Sequence, residues 1–353
     1  MPLMRIVVTG ATGNVGTSVL RALGEDNRVE SVLGVVRRLP EAQFSKASFV
    51  AADVAEDDLV SHFRGADAVV HLAWLIQPSR DLRTTRRTNV DGTRRVFHAA
   101  GEAGVPALVY ASSVGAYSPG PKDRAVDETW PTGGIASSFY SRQKSETERL
   151  LDRHEQEFPE MRTVRLRPGL IFKGTAASGI RRLFAGPFVP TSALHRALIP
   201  IVPDIERLRF QAVHSLDVGS AYALAATGDA RGAFNIAAEP VLDPAELGRL
   251  LRARPVPVPA SIVRAGADLT WRAHLQPTPP GWVDMALAVP IMDTSRARAE
   301  LGWTPRRTSG EALLELLEGM RRSEGIETPP LSRRTGGPAR LREFLTGIGR
   351  TSR

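Results

Sequence analysis

The 353-residue chain contains no cysteine. A disulfide framework, a thiolate metal site and a cysteine nucleophile are therefore excluded, and the absence fits a reducing cytosol. No run of 18 apolar residues occurs, and MPLMRIVVTG enters a hydrophobic strand at once, so no signal peptide is expected. A cytoplasmic protein with no membrane partner is expected. No His/Asp/Glu cluster has ligand spacing, so no metal is expected. Lysine is nearly missing as well. Of 46 Lys plus Arg, only Lys46, Lys122, Lys144 and Lys173 are lysines. The formal charge is +8. The arginines are scattered among acids, which reads as a solvated surface rather than a nucleic-acid face.

Short apolar runs alternate with amphipathic stretches through the first half. Strands are expected at 5–10, 31–38, 47–53, 66–74, 107–113 and 161–172, and helices at 14–26, 88–104 and 137–156. Val-, Ile- and Ala-rich strands separated by single helices imply an α/β fold, a doubly wound parallel sheet covered on both faces. After residue 172 the rhythm breaks into Pro-, Gly- and Trp-rich segments, and GAFNIAAE (232–239) reads as a strand returning to the sheet. The expected division is therefore a Rossmann domain over 1–172 plus about 211–239. A smaller interleaved substrate lobe covers 173–210 and 240–322, and a basic tail, 323–353, follows.

VVTGATGNVG carries Gly10, Gly13 and Gly16 between an expected strand and helix. Gly10 permits the tight turn, Gly13 a close approach to a diphosphate, and Gly16 close helix packing. The helix N-terminus attracts the negative charge. Tyr140 and Lys144, in FYSRQKSE, lie at i and i+4 and share a helix face. Chance supplies roughly 0.05 such matches in this composition. A nearby ammonium favours phenolate, so Lys144 is expected to lower the Tyr140 pKa and suit it to proton transfer. Arg37 and Arg38 follow the second strand, where an acid would bind the 2′-hydroxyl of NAD; arginines suit a 2′-phosphate, so NADP is favoured over NAD.

With these motifs the chain resembles the extended short-chain dehydrogenase/reductase family, also called the NAD-dependent epimerase/dehydratase family. TGATGNVG is similar to its nucleotide loop, ADV (52–54) to its adenine contact, and HLAW (71–74) to its Asn-Ala-Ala-Gly element. TNVDGTRRV, YASSVGAY, YSRQK, RLRPGLIF, FQAVHSLDVGSAYALA and LGWTPRRTSGEALLELL look like further landmarks. The resemblance implies cofactor contacts at Gly10, Thr12, Gly13, Asn14, Val15, Gly16, Arg37, Arg38, Asp53, Val54, Leu72, Ala73, Asn89, Tyr140, Lys144 and Pro168, with Lys144 on the nicotinamide ribose. It implies a catalytic set of Ser113, Tyr140 and Lys144. Tyr117, aligned with the family's usual aromatic, favours Ser113 over Ser112. A homodimer through segments 88–104 and 140–156 is also implied.

Several positions stay open. Asp53 contacts adenine or caps AEDDL; Asn89 serves structure or catalysis; Trp74 shapes a pocket for an apolar substrate or packs in the core. His71 and His214 read as structural. Trp74, Ser113 and Arg209 are the candidate substrate contacts. VGAY, after the catalytic hydroxyl, lacks the Asp-Glu pair of the family's dehydratases, which argues against dehydration. Arg181, Arg182, Arg207 and Arg209 could reach a diphosphate, whereas Trp271 and Trp282 could enclose an apolar carbonyl compound. The resulting expectation is an NAD(P)-dependent oxidoreductase acting on a small-molecule alcohol or carbonyl. A nucleotide-sugar epimerase with retained cofactor and a non-catalytic NAD(P)-sensing protein are the alternatives.

Overall fold

A computed structural model describes residues 3–77, 79–184 and 200–332. Seven strands form the main sheet: β1 (Met4–Thr9), β2 (Val29–Val36), β3 (Ala47–Ala51), β4 (Ala68–His71), β5 (Ala107–Ala111), β6 (Arg162–Pro168) and β7 (Gly232–Ile236). Their order is β7-β6-β5-β4-β1-β2-β3, with every neighbouring pair parallel. Side chains alternate across the sheet as the pleat requires. Ile6 and Val8 enter one buried cluster and Val7 the other; Val109 enters the first, Leu108 and Tyr110 the second. Burial of both faces is what makes these strands read as continuous apolar runs.

Four helices position the site. α1 (Asn14–Glu25) and α4 (Ser215–Thr227) cover one face; α2 (Thr93–Glu102) and α3 (Phe139–Glu157) cover the other. A Cβ on Gly219 would stand 2.5 Å from the Ser18 carbonyl oxygen, so glycine allows α1 and α4 to meet backbone to backbone. The helix expected over 88–104 begins as a π turn, Arg87–Gly92, a geometry concentrated at functional sites. Ser138 caps α3 by accepting the Ser141 N–H.

The single strand expected over 161–172 is corrected to two. β6 ends at Pro168, and Leu170–Phe172 leaves the sheet to pair with Ala212–His214. The cause is Gly169, where a Cβ would lie 2.5 Å from the Gln211 carbonyl oxygen. Only glycine lets the two segments cross so closely. Beyond the main sheet the chain adds α5 (Ala260–Arg272), α6 (Gly281–Ala288) and α7 (Ser309–Arg322), the last opened by a Thr308/Glu311 capping box. A separate apolar cluster joins Val202, Ala212, Leu242 and Leu250 to Leu313 and Leu317 of α7. Most of the expected basic tail, 333–353, lies outside the described residues. No helix among the described residues is long and apolar enough to cross a membrane.

Candidate active site

The C-terminal ends of β1, β4 and β5 lie side by side, and the turns after them build the site. Gly10 has φ +72°, and a Cβ there would fall 2.7 Å from the Ala73 nitrogen. The glycine loop and the segment after β4 are therefore in direct backbone contact. At Gly13 a Cβ would meet only the Gly10 carbonyl, at 3.5 Å. Gly13 is the N-cap of α1 but supplies no side-chain cap, and the first turn holds no acid. The first-turn N–H groups lack helical acceptors, which leaves a cradle for an anion. Asn14 donates to Ile171 O at 3.3 Å, while its Oδ1 is buried and unpaired among the described residues. These features fit the diphosphate of a dinucleotide.

The remaining expected cofactor positions are spread around this cradle. Thr12 is buried and Val15 packs against the core beneath the loop. Arg37 and Arg38 are exposed at the end of β2. The Asp53 side chain accepts the Ala55 N–H at 2.9 Å, so it closes the local turn with one oxygen and keeps the other. Val54 buries its side chain in the core and gives its carbonyl to Arg95. Leu72 bonds Thr9 O across the strand ends, and Pro168 sits buried at the end of β6. Asn89 is fully engaged: it accepts the Leu75 N–H at 2.7 Å and donates to Leu75 O and to Gln143 Oε1, each at 2.8 Å. It clamps the loop that carries Trp74 against the helix that carries Lys144.

Ser113 and Tyr140 meet. Ser113 caps the short turn after β5, accepting the Gly115 N–H at 3.0 Å, and its hydroxyl lies on the side of Tyr140. Ser112 turns away and donates to Glu148. The structure thus separates the two serines that sequence left side by side. Burial raises the Tyr140 pKa, and the Ser113 hydroxyl offsets this in part. The expected lowering by Lys144 is corrected. The Lys144 ammonium stands 6.0 Å from the centre of the Tyr140 ring; it donates to Ala111 O at 2.6 Å and lies 3.4 Å from the centre of the Trp74 ring. Burial drives the lysine well below its ordinary pKa, opposed by Glu148.

Sequence reasoning missed the ionic layer behind this pair. Glu148 follows Lys144 by one turn on the same helix face. It receives Arg165 at 2.9 Å and Arg167 at 2.9 Å, and all three are buried. Burial pushes the Glu148 carboxyl up, but the two guanidiniums prevail and hold it at about 2. The alternation in TVRLRPG was the available signal, since it turns two arginines to one side of a buried strand. His71 bonds Thr9 at 2.7 Å and Thr93 at 2.9 Å, and burial lowers its pKa to about 3. It is a satisfied strand-end histidine. His214 accepts the Leu216 N–H to cap α4 and faces Glu315 at 3.1 Å.

Trp74 is half-buried between Lys144 and Tyr140, so it belongs to the site. Trp282, from α6, lies 5.0 Å from the Tyr140 ring, whereas Trp271 instead stacks with Arg80. Of the four arginines considered for a diphosphate, Arg207 donates to Gly120 O and Leu287 O, and Arg182 to Pro330 O. Arg181 lies on the 177–184 helix. Arg209 keeps a buried Nε with no hydrogen-bond partner among the described residues.

The family model of the NAD dependent epimerase/dehydratase family matches residues 6–237. The chain belongs to that family. Relatives add breadth rather than a reaction. An uncharacterized protein of Mycobacterium tuberculosis is 26% identical over 326 residues, 92% of this chain and 31% of its own length. The chain thus spans about a third of the length of the first curated relatives it matches. An L-arabinose 1-dehydrogenase (NAD(P)(+)) of Haloferax volcanii is 38% identical over 112 residues, 31% of this chain and 41% of that protein. The UDP-glucose 4-epimerase of Thermus thermophilus, solved with NAD, superimposes with TM-score 0.67 at 20% identity, covering 90% of this chain and 99% of that one. At that identity the likeness concerns the fold.

Proposed function

We propose that the protein is an NAD(P)-dependent oxidoreductase interconverting an alcohol and a ketone or aldehyde in a small molecule. The gathering of Ser113, Tyr140 and Lys144 around Trp74, adjoining the glycine loop through Ala73, carries this reading. When bound, the dinucleotide supplies the hydride that no side chain can carry. The N-terminus of α1 and residues 10–16 hold its diphosphate. Asp53, Val54, Leu72, Ala73 and Pro168 surround the rest of it, with Asn89 holding the Trp74 loop in place. Tyr140 moves the proton at the substrate oxygen, and Ser113 orients that oxygen. Lys144 is positioned by Ala111 O at the same wall.

Arg37 and Arg38, exposed and without an ion pair among the described residues, support NADP over NAD. Segments 1–172 and about 211–239 form the dinucleotide domain in this reading; 173–210 and 240–322 form the substrate lobe, and 88–104 with 140–156 serve a homodimer. The unpaired Arg209 Nε favours a second reading, a nucleotide-sugar epimerase that retains its cofactor. A redox sensor has less support, because it needs no Ser113, Tyr140 and Lys144 gathered at one wall.

The deciding experiment follows reduced-nicotinamide absorbance with a panel of aldehydes and ketones. The oxidoreductase reading expects stoichiometric loss of NADPH, slowed about 10²–10⁴-fold in Tyr140→Phe with dinucleotide affinity kept. Epimerisation of a UDP-sugar without net redox would replace it. Tighter binding of NADH than NADPH would reverse the cofactor preference.

A further inference from the structure

We infer that the reacting part of the substrate is a flat aromatic group bearing the carbonyl or alcohol carbon, rather than a hexose. The inference rests on the oxidoreductase reading and narrows it. Tyr140 is half-buried, and its ring meets two indoles. Trp282 lies at 5.0 Å with 34° between the planes; Trp74 stands edge-on at 5.8 Å. The two come from different parts of the chain, Trp74 from the loop after β4 and Trp282 from the first turn of α6. Ile135, Met285 and Val289 form a buried cluster with Trp282 and Val114 packed against it. Aromatic rings prefer these offset and edge contacts, so a wall of this composition favours a further ring over a polyol.

The hydroxyls nearby are already committed. Ser113 accepts the Gly115 N–H and, with Tyr140, is taken up by the single reacting oxygen. Ser138 accepts the Ser141 N–H at 3.3 Å and faces Met285 Sδ at 3.9 Å. Ser141 donates to Gly115 O at 2.5 Å and accepts the Ile135 N–H at 2.6 Å. A hexose brings several hydroxyls that each need a partner once water leaves. Apart from Ser113, Tyr140 and Lys144, the side chains described around the Tyr140 ring present indole, thioether and alkyl surface. The buried Trp74 Nε1, which has no hydrogen-bond partner among them, offers one donor, enough for a single substituent.

The test reads binding without turnover. The wild-type protein is saturated with NADP+, which cannot reduce a ketone, and titrated calorimetrically with 2-acetylnaphthalene and with UDP-glucose. The ketone is expected to bind saturably and at least about tenfold more tightly than UDP-glucose. Trp282→Ala should weaken it by about tenfold or more, and Trp282→Phe by less than about threefold. Absent ketone binding, a smaller preference over UDP-glucose, or a folded Trp282→Ala that binds as wild type would each overturn the inference. The wild-type comparison decides even if Trp282→Ala does not fold. A protein that binds no dinucleotide in the first step overturns the oxidoreductase reading together with the inference. One that binds dinucleotide and prefers UDP-glucose overturns the inference alone.

Discussion

Replacing Glu148 with glutamine keeps the shape of the buried ionic layer and removes its negative charge. Arg165 retains Asp152 at 2.6 Å and Glu155 at 2.7 Å. Among the described residues Arg167 keeps only neutral hydrogen-bond partners, the Tyr117 hydroxyl at 3.0 Å and Glu128 O at 2.8 Å. Its side chain is 5% exposed, so water cannot compensate. Breaking a buried pair from one side costs about 3–5 kcal/mol, because a charge is left without a counterion. Urea denaturation should register that loss at neutral pH. The double variant Glu148→Gln/Arg167→Met removes the stranded charge and should recover at least about half of it. The sign with pH is also fixed. The folded carboxyl titrates near 2 against an ordinary 4.5, so the layer contributes fully above pH 4.5 and fades as pH falls toward 2. Glu148→Gln should lack that acid limb. A single variant within about 1 kcal/mol of wild type, or a double variant less stable than the single, would refute the reasoning.

Gly10→Ala should abolish dinucleotide binding measured calorimetrically, because φ +72° and a 2.7 Å approach to the Ala73 nitrogen both oppose a Cβ. Ser113→Ala should lower kcat about 10²-fold and cost about 1 kcal/mol of stability with the lost cap; Ser112→Ala should lower stability with kcat nearly kept, since its hydroxyl serves Glu148. His71, depressed by burial to about 3 from 6.5, takes its proton more readily in the unfolded chain. Its contribution is complete above pH 6.5 and declines on acidification by at most about 1.4 kcal/mol per pH unit. His154 and His214 are depressed too. The check is therefore the difference in unfolding midpoints between wild type and His71→Asn from pH 7.5 to 5, about a one-proton slope.

The alternation of apolar runs and amphipathic stretches made the doubly wound sheet legible, because burial on both faces leaves a mark at every strand residue. The glycine loop was legible for a similar reason: Gly10 and Gly16 answer backbone approaches that no other residue tolerates. The scarcity of lysine pointed to Lys144, and the structure widens that clue. Lys46, Lys122, Lys144 and Lys173 all donate to backbone carbonyls. A compact ammonium fits those sites where a planar guanidinium does not. Lys173 also bonds Thr17 and Ser18 beneath the first turn of α1, and burial lowers its pKa to about 8. What sequence could not supply was long-range pairing. Spacing placed Tyr140 and Lys144 on one face, but not the Trp74 indole that lies against the ammonium. Ser112 and Ser113 differ by one residue in the chain, and only the turn after β5 sends them to opposite partners. Glu148 carried no motif; its meaning depends on Arg165 and Arg167 arriving from another strand.

The most direct measurement is a crystal structure of the complex with NADPH. The account predicts the diphosphate on the N–H groups of residues 12–16, with the nicotinamide end reaching the wall formed by Ser113 and Tyr140. Lys144 should exchange its contact with Trp74 for the ribose hydroxyls. A dinucleotide bound away from residues 10–16, or one in place there while Ser113 and Tyr140 face away from its nicotinamide, would contradict it.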